Sequence, residues 1–250
     1  MKTGRRSAPL ISTRYPLPAT HYSLLPRPLK LDRLLAKHQH MGRTRARESV
    51  MARRVKINDR VAKQHDEEID RFAQVTLDDT IVQPTSRRLC LMLHKPIGVL
   101  SATNDNKHST VIDLIDDPDK ETLHLVGRLD INTSGLVLLT NDGRWSKTLM
   151  HPYKKVPKVY HVTTKEPIPP DAPTRFTAGF YFQTEDITTQ PAGLEILTTT
   201  TARVTLHEGR YRQVRRMFHR VGCQVTALHR ESIGDIQLPS DLVPGAWRSL

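Results

Sequence analysis

Apolar residues recur along this chain in short runs separated by polar turns, and the spacing of the runs changes twice. From Met1 to Pro28 there is no sustained apolar period, only Lys2, Arg5, Arg6, Arg14 and Arg27 among prolines and serines, without one acidic residue. Such a segment cannot bury enough apolar surface to offset the entropy of ordering, so residues 1–28 are expected to form a flexible basic tail. From Leu29 to Leu77 the pattern is that of a small folded unit. Leu31, Leu34 and Leu35 recur at helical spacing, a second helix is expected from Thr44 to Arg53, and Val55 to Ile57, the Asn58-Asp59 turn and Val61 spell strand, turn and strand. Residues 78–88, with Asp78, Asp79, Pro84, Thr85 and Ser86, have the composition of a linker. Beyond them, strand-like runs fall at Leu89 to Leu93, Val99 to Ala102, Leu123 to Val126, Leu136 to Thr140, Val159 to Thr163, Leu194 to Thr198 and Ala202 to Leu206. Helical patterns lie between them, near Val111 to Ile115, Trp145 to Met150, Pro173 to Ala178 and Tyr211 to Val221. Short strands at close intervals with a few helices predict an α+β domain over residues 89–250, built on a mixed, mostly antiparallel sheet.

Composition narrows the partners. The chain has 250 residues, and 38 Lys and Arg against 26 Asp and Glu give a formal net charge of +12. That excess suits a polyanion such as nucleic acid. A membrane surface would attract the same charge. No apolar stretch approaches the roughly 20 residues a spanning helix needs, however, and no amphipathic helix has a large aromatic face, so no membrane partner is expected. Two cysteines, Cys90 and Cys223, are too few for a disulfide framework or a thiolate metal cage, and the 12 histidines are scattered. No metal site is expected.

Candidate chemistry concentrates in Gly127 to Gly143, GRLDINTSGLVLLTNDG. Asp130 stands beside Arg128 on a polar connection between two apolar runs. A carboxylate next to a cation is ionised at neutral pH, because the opposite charge lowers its pKa by about one to three units. It is then a nucleophile or a base. An isolated Arg-x-Asp is more often a turn-capping aspartate with a solvated arginine, so the spacing does not decide. Downstream, Val214, Met217, Phe218 and Val221 share one side of a helical pattern and leave Arg212, Arg215, Arg216 and His219 on the other. That is the pattern of a helix lining an RNA cleft, and equally of a plain solvent face.

Three segments together are more specific: Gly127 to Gly143, Lys158-Val159-Tyr160, and EGRYRQVRRMF from Glu208 to Phe218. In this order and at these separations they closely resemble the signature segments of the RsuA-type pseudouridine synthases, which modify uridines of ribosomal RNA, over about Leu91 to Leu250. The resemblance implies an isomerase. The bond from ribose to the uracil nitrogen is broken, the base turns, and it is rejoined through a ring carbon, without redox change and without a cofactor. It assigns Asp130 as the catalytic aspartate, which either attacks the sugar carbon or removes a sugar proton so that a glycal forms. It places Arg215 near that carboxylate to keep it ionised and oriented, and Tyr160 as the aromatic that stacks on the target base. Lys158 is expected to attract phosphate and Arg128 to help displace the base, with Arg210, Arg212, Arg216 and Arg230 as further RNA contacts. Relatives often carry His where this chain has Arg212. Lys95-Pro96 ahead of Gly98 matches the first family segment, where the role is mainly structural.

Residues 29–77 resemble the alpha-L RNA-binding module, named after a small-subunit ribosomal protein, in which a helical pair presents cations to phosphates. Here Arg43, Arg45, Arg47 and Arg53 would do so. Within the family, Trp145 after Asp142-Gly143, the stretch from Glu185 to Glu195, and LHRESIG from Leu228 to Gly234 sit nearest the enzymes of the small subunit. The expectation is a monomeric, cytoplasmic enzyme acting on one uridine of 16S ribosomal RNA, free or in a pre-ribosomal particle. Rivals are a synthase of large-subunit (23S) RNA, a non-catalytic RNA-binding assembly factor, and an aspartate-dependent hydrolase of small substrates.

Overall fold

The computed structural model describes residues 29–250, and the expected basic tail lies outside them. Two units divide at Arg88 and Leu89.

The first contains β1 (Leu29–Lys30), α1 (Leu31–His38), α2 (Arg43–Met51), β2 (Val55–Ile57), β3 (Arg60–Val61), β4 (Glu68–Ile69), β5 (Val75–Leu77) and β6 (Thr80–Gln83). The strands form a sheet in the order β3-β2-β5-β6, and β1 pairs with β4. Leu31, Leu34 and Leu35 of α1 are fully buried against Ala46, Val50, Val55 and Val75, each leucine contributing about 1.5–3 kcal/mol. The stretch expected as a linker is corrected by β6. Asp78 and Asp79 take left-handed φ of 50° and 61° and turn the chain straight back onto β5. Acidic pairs tolerate that conformation through local hydrogen bonding, which is also why they look like linker. Arg54 pairs with Asp78, and Lys56 with Asp79, fixing the turn. The second helix ends at Met51, short of Arg53, whose φ is 60°.

The second unit contains β7 (Cys90–Lys95), β8 (His124–Val126), β9 (Ser134–Thr140), α3 (Gly143–Met150), β10 (Lys158–Thr164), α4 (Ala172–Ala178), β11 (Tyr181–Phe182), β12 (Ile187–Thr188), β13 (Gly193–Ile196), β14 (Thr201–Leu206), α5 (Gln213–Arg220), β15 (Val225–Ile233), β16 (Ile236–Gln237) and β17 (Trp247–Ser249). Nine strands make one sheet, β13-β14-β10-β15-β9-β7-β17, with β8 on β9 and β16 on β15. Only β9 with β15 is parallel, so the sheet is mixed and mostly antiparallel. Its centre is covered on both faces. Leu91, Leu93, Val137 and Leu139 join the core that contains Phe176, Met217 and Phe218, while Met92, Leu136 and Leu138 join the one that includes Trp145 and Leu149. A strand buried on both faces reads as one continuous apolar run, which is why β9 was plain in the sequence.

Three expectations are corrected here. Val111 to Leu114 form turns, not a helix: the Asp113 carboxylate accepts from both the amide and the hydroxyl of Thr110, holding a local turn, while Val111, Ile112 and Ile115 still fill the core. Val99 to Ala102 contributes a single bridge, Leu100 with Thr110. β15, nine residues long, and β17 add strands beyond the apolar runs; in β15, Thr226, His229 and Glu231 interrupt the apolar pattern.

Candidate active site

The Asp130 loop sits where β9 changes partners. On one edge β9 pairs with β7 from Gly135 to Thr140; on the other it pairs with β8 at Thr140 to Leu138 and with β15 at Gly135 and Ser134. Residues 127–133 leave β8 at this handover and re-enter the sheet as β9. Hydrogen-bonded neighbours place Val204, Tyr160, Arg230, Gly135 and Lys95 in one row across five strands, and cross-strand partners share a face. Glycine in the middle of that row leaves no side chain between Arg230 and Lys95.

Three cations from three elements hold the backbone of the loop. Lys95 Nζ, with no exposed surface, donates to the carbonyls of Thr133 (2.8 Å), Pro96 (3.0 Å), Asp130 (3.2 Å) and Ile131 (3.4 Å). Arg230, 2% exposed, donates from Nε to Leu136 O at 2.8 Å and from Nη1 to Arg128 O at 3.5 Å. Arg215 on α5 donates to Asn132 O at 2.9 Å and to Val225 O at 2.8 Å. The loop closes on itself through Thr133 N to Asp130 O, and Leu129 N donates to the buried Ser101 hydroxyl at 3.0 Å. Among the described residues no side chain pairs with the Asp130 carboxylate, so its position is set by the backbone of the loop that carries it.

The sequence-derived candidates fall into three groups. Asp130 is half-buried, Arg128 is exposed, and among the described residues no ion pair joins Asp130 to either Arg128 or Arg215. Arg215 thus meets the loop through the main-chain carbonyl of Asn132, two residues from Asp130, and among the described residues not through a bidentate pair with the carboxylate. Tyr160 is 8% exposed, packs in the same core as Leu129, and is the strand neighbour of Arg230, whose guanidinium reaches the Asp130 loop. Lys158 is half-buried, donates to Val156 O, and has its pKa lowered first by burial and then by the nearby Arg230 charge. Arg230 itself is corrected as an RNA contact: it is buried beside the sheet's core, and its Nη2 has no partner among the described residues.

The remaining candidate cations are mostly engaged. Arg210 pairs with Glu208 at 2.9 Å, Arg216 pairs with Glu185, and Arg212 lies over the Tyr211 ring with a left-handed φ of 48°. Arg212, Arg215, Arg216 and Arg220, with His219, face Phe182 and Thr184 across an open groove of about 640 Å³. In the first unit Arg43 and Arg47 donate to the buried Asp32 carboxylate at 3.1 and 3.2 Å; burial raises its pKa, but the two arginines outweigh that and hold it below the usual carboxylate range. Arg45 and Arg53 are exposed. Among the described residues no group of three or more His, Cys, Asp or Glu is arranged to hold a metal, and no helix is long and apolar enough to cross a membrane.

Lys95 is the candidate site residue to which sequence reasoning gave only a structural role, although its signal is present in the chain. It continues the inward phase Leu91, Leu93, Lys95, and a lysine at a core position needs buried acceptors. Burial pushes its pKa down to about 8, opposed by the Asp130 charge and assisted by Arg230. A lysine depressed in the fold gives up its proton earlier than in the unfolded chain, so the unfolded state binds more protons between pH 8 and about 10.5. Stability from this group therefore rises with pH across that window and is flat below it. Urea unfolding at pH 7.5 and 9.5 checks this: the margin of wild type over Lys95→Met is expected to widen at the higher pH, and an unchanged margin would refute it.

Known proteins resemble this chain along most of its length. Residues 90–220 match the family model for RNA pseudouridylate synthase. Ribosomal small subunit pseudouridine synthase A of Pseudomonas aeruginosa is 44% identical over 222 residues, 89% of this chain and 96% of the relative. The protein of the same name from Escherichia coli K12 is 37% identical over the same shares. A crystal structure of a pseudouridylate synthase matches with a TM-score of 0.64 at 35% identity, covering 89% of this chain and 96% of that one. With a shared fold, a family match over more than half its residues and close relatives along nearly its whole length, this chain belongs to the RNA pseudouridylate synthase family.

Proposed function

We propose that this protein converts one uridine of small-subunit (16S) ribosomal RNA to pseudouridine, using Asp130 and no cofactor. The observation that carries the reading is the 37–44% identity, over 89% of the chain, to proteins named ribosomal small subunit pseudouridine synthase A. The net charge of +12 fits an RNA substrate. In this reading the target nucleotide is taken out of its stack, as chemistry on a paired base requires. Its ribose meets Asp130, and Tyr160 stacks on the uracil. Arg215, Lys95 and Arg230 keep the Asp130 loop in place. Arg128, Lys158, Arg212 and Arg216 meet the RNA backbone, and residues 29–77 serve as an alpha-L module whose Arg45 and Arg53 also meet RNA. Sequestered by Asp32, Arg43 and Arg47 contribute less. The protein works as a monomer in the cytoplasm, on RNA or on an early ribosomal particle.

Mapping pseudouridines in ribosomal RNA from cells with and without the gene tests this. Loss of one site in 16S RNA is the expected result. Loss of a site in 23S RNA instead would move the enzyme to the large subunit, and an unchanged map would leave an RNA-binding factor.

A further inference from the structure

The groove between α5 and the β11–β12 hairpin has a composition that the isomerisation alone does not explain. Arg216 lies with its guanidinium carbon 3.5 Å from the centre of the Phe182 ring, so its plane is held on an aromatic face. Both Glu185 oxygens accept from the same nitrogen, Nη1, at 2.8 and 3.1 Å. That is not the two-nitrogen fork of a strong arginine–carboxylate pair, and Nε and Nη2 have no protein partner among the described residues. Arg212 and Arg220 flank Arg216 along the groove, and Tyr211, 69% exposed, carries Arg212 over one face of its ring and offers the other to solvent. At the inner end Arg215 donates to Asn132 O, two residues from Asp130, so the groove runs to the proposed catalytic loop. Cations tracking one groove with an open aromatic beside them are the features that hold unpaired nucleic acid.

We propose that this groove binds the unpaired RNA strand next to the target uridine, with backbone phosphates on Arg212, Arg216 and Arg220 and a base on Tyr211. Glu185 occupies the phosphate position on Arg216 until RNA displaces it. This rests on the RNA-modifying reading above and extends it to how the strand is held. The exchange leaves no charge buried alone, since Glu185 is on the surface and returns to water.

Filter binding of the full chain to unmodified 16S ribosomal RNA transcript, across a salt series, tests it. Glu185→Gln is expected to bind about two- to fivefold tighter, the effect of removing a competing exposed ion pair. An unchanged urea midpoint for this variant separates the gain from non-specific binding by an opened basic chain. Arg216→Ala is expected to bind more weakly and to lower the slope of log affinity against log salt by about 0.7, one phosphate contact. Tyr211→Ala is expected to lose about five- to a hundredfold with the salt slope unchanged, because stacking carries no counterion. Binding by Glu185→Gln no tighter than wild type, or an unchanged slope in Arg216→Ala, would overturn the proposal. Tritium release from RNA carrying 5-tritiated uridine separates the two readings. Wild-type protein that binds but releases none would remove the isomerase reading and leave the groove standing. Release with no binding response to the substitutions would do the reverse.

Discussion

Asp130→Asn is expected to abolish pseudouridine formation while leaving the protein folded and bound to RNA. Asparagine has the shape of aspartate, and the contacts that seat the loop at this residue, from Lys95 Nζ and Thr133 N, go to its main-chain carbonyl and survive the change. What is lost is the negative charge and the lone pair that attacks carbon or takes a proton. Removing a general base costs about 100- to 10,000-fold in rate, and removing a nucleophile at least as much. Stability should fall by about 1 kcal/mol or less, since the carboxylate has no hydrogen-bonding side-chain partner among the described residues and what the fold loses is its charge beside the buried Lys95. A second consequence follows from electrostatics. The Asp130 charge supports the protonated Lys95, so in the variant the Lys95 pKa should fall further below about 8. Tritium release under single-turnover conditions, with RNA binding measured alongside, is the check. Turnover at the wild-type rate would falsify the assignment of Asp130.

Gly135→Ala is expected to be the most destabilising single methyl addition in the second unit. Gly135 has φ of +110°, where a residue with a β-carbon is strained by about 1–3 kcal/mol. The added carbon would sit 2.5 Å from the Arg230 amide nitrogen and closer still to its carbonyl oxygen. These are backbone atoms of a neighbouring strand and cannot swing aside, so β9 and β15 must part, at a further cost of about 1–3 kcal/mol. The same shift disturbs Arg230, which reaches Leu136 O and the Asp130 loop from that point, so turnover should fall along with stability. Gly143→Ala is the control: nothing lies within 4 Å of its added carbon and its φ is not positive, so about 0.5 kcal/mol or less is expected. Equal urea midpoints for the two variants would show that the β9–β15 approach is not tight.

The elements most legible in the chain were those buried on both faces or capped by recognisable residues. β9 appeared as an uninterrupted apolar run, and α3 follows Asp142, whose carboxylate accepts from the Arg144 and Trp145 amides. β15 was hidden because one of its faces is half-exposed and carries His229 and Glu231, so neither strict alternation nor a continuous run marks it. Thr80 to Gln83 was hidden for the opposite reason: a two-aspartate turn has the composition of a linker, and only the partners of Asp78 and Asp79 on β2 and its flank reveal a hairpin.

By itself the sequence determined the family, the α+β class, the basic surface and the residues around Asp130, because these depend on short-range spacing and on side-chain type. Only the tertiary structure decided what each cation does. Lys95, Arg215 and Arg230 lie 120 and 15 residues apart along the chain, yet all three bind carbonyls of one seven-residue loop. Arg216 and Glu185 are partners across 31 residues. A charge declares its sign in the sequence; whether it meets water, a carboxylate or a main-chain oxygen depends on which strands are neighbours, and that register is set by long-range packing.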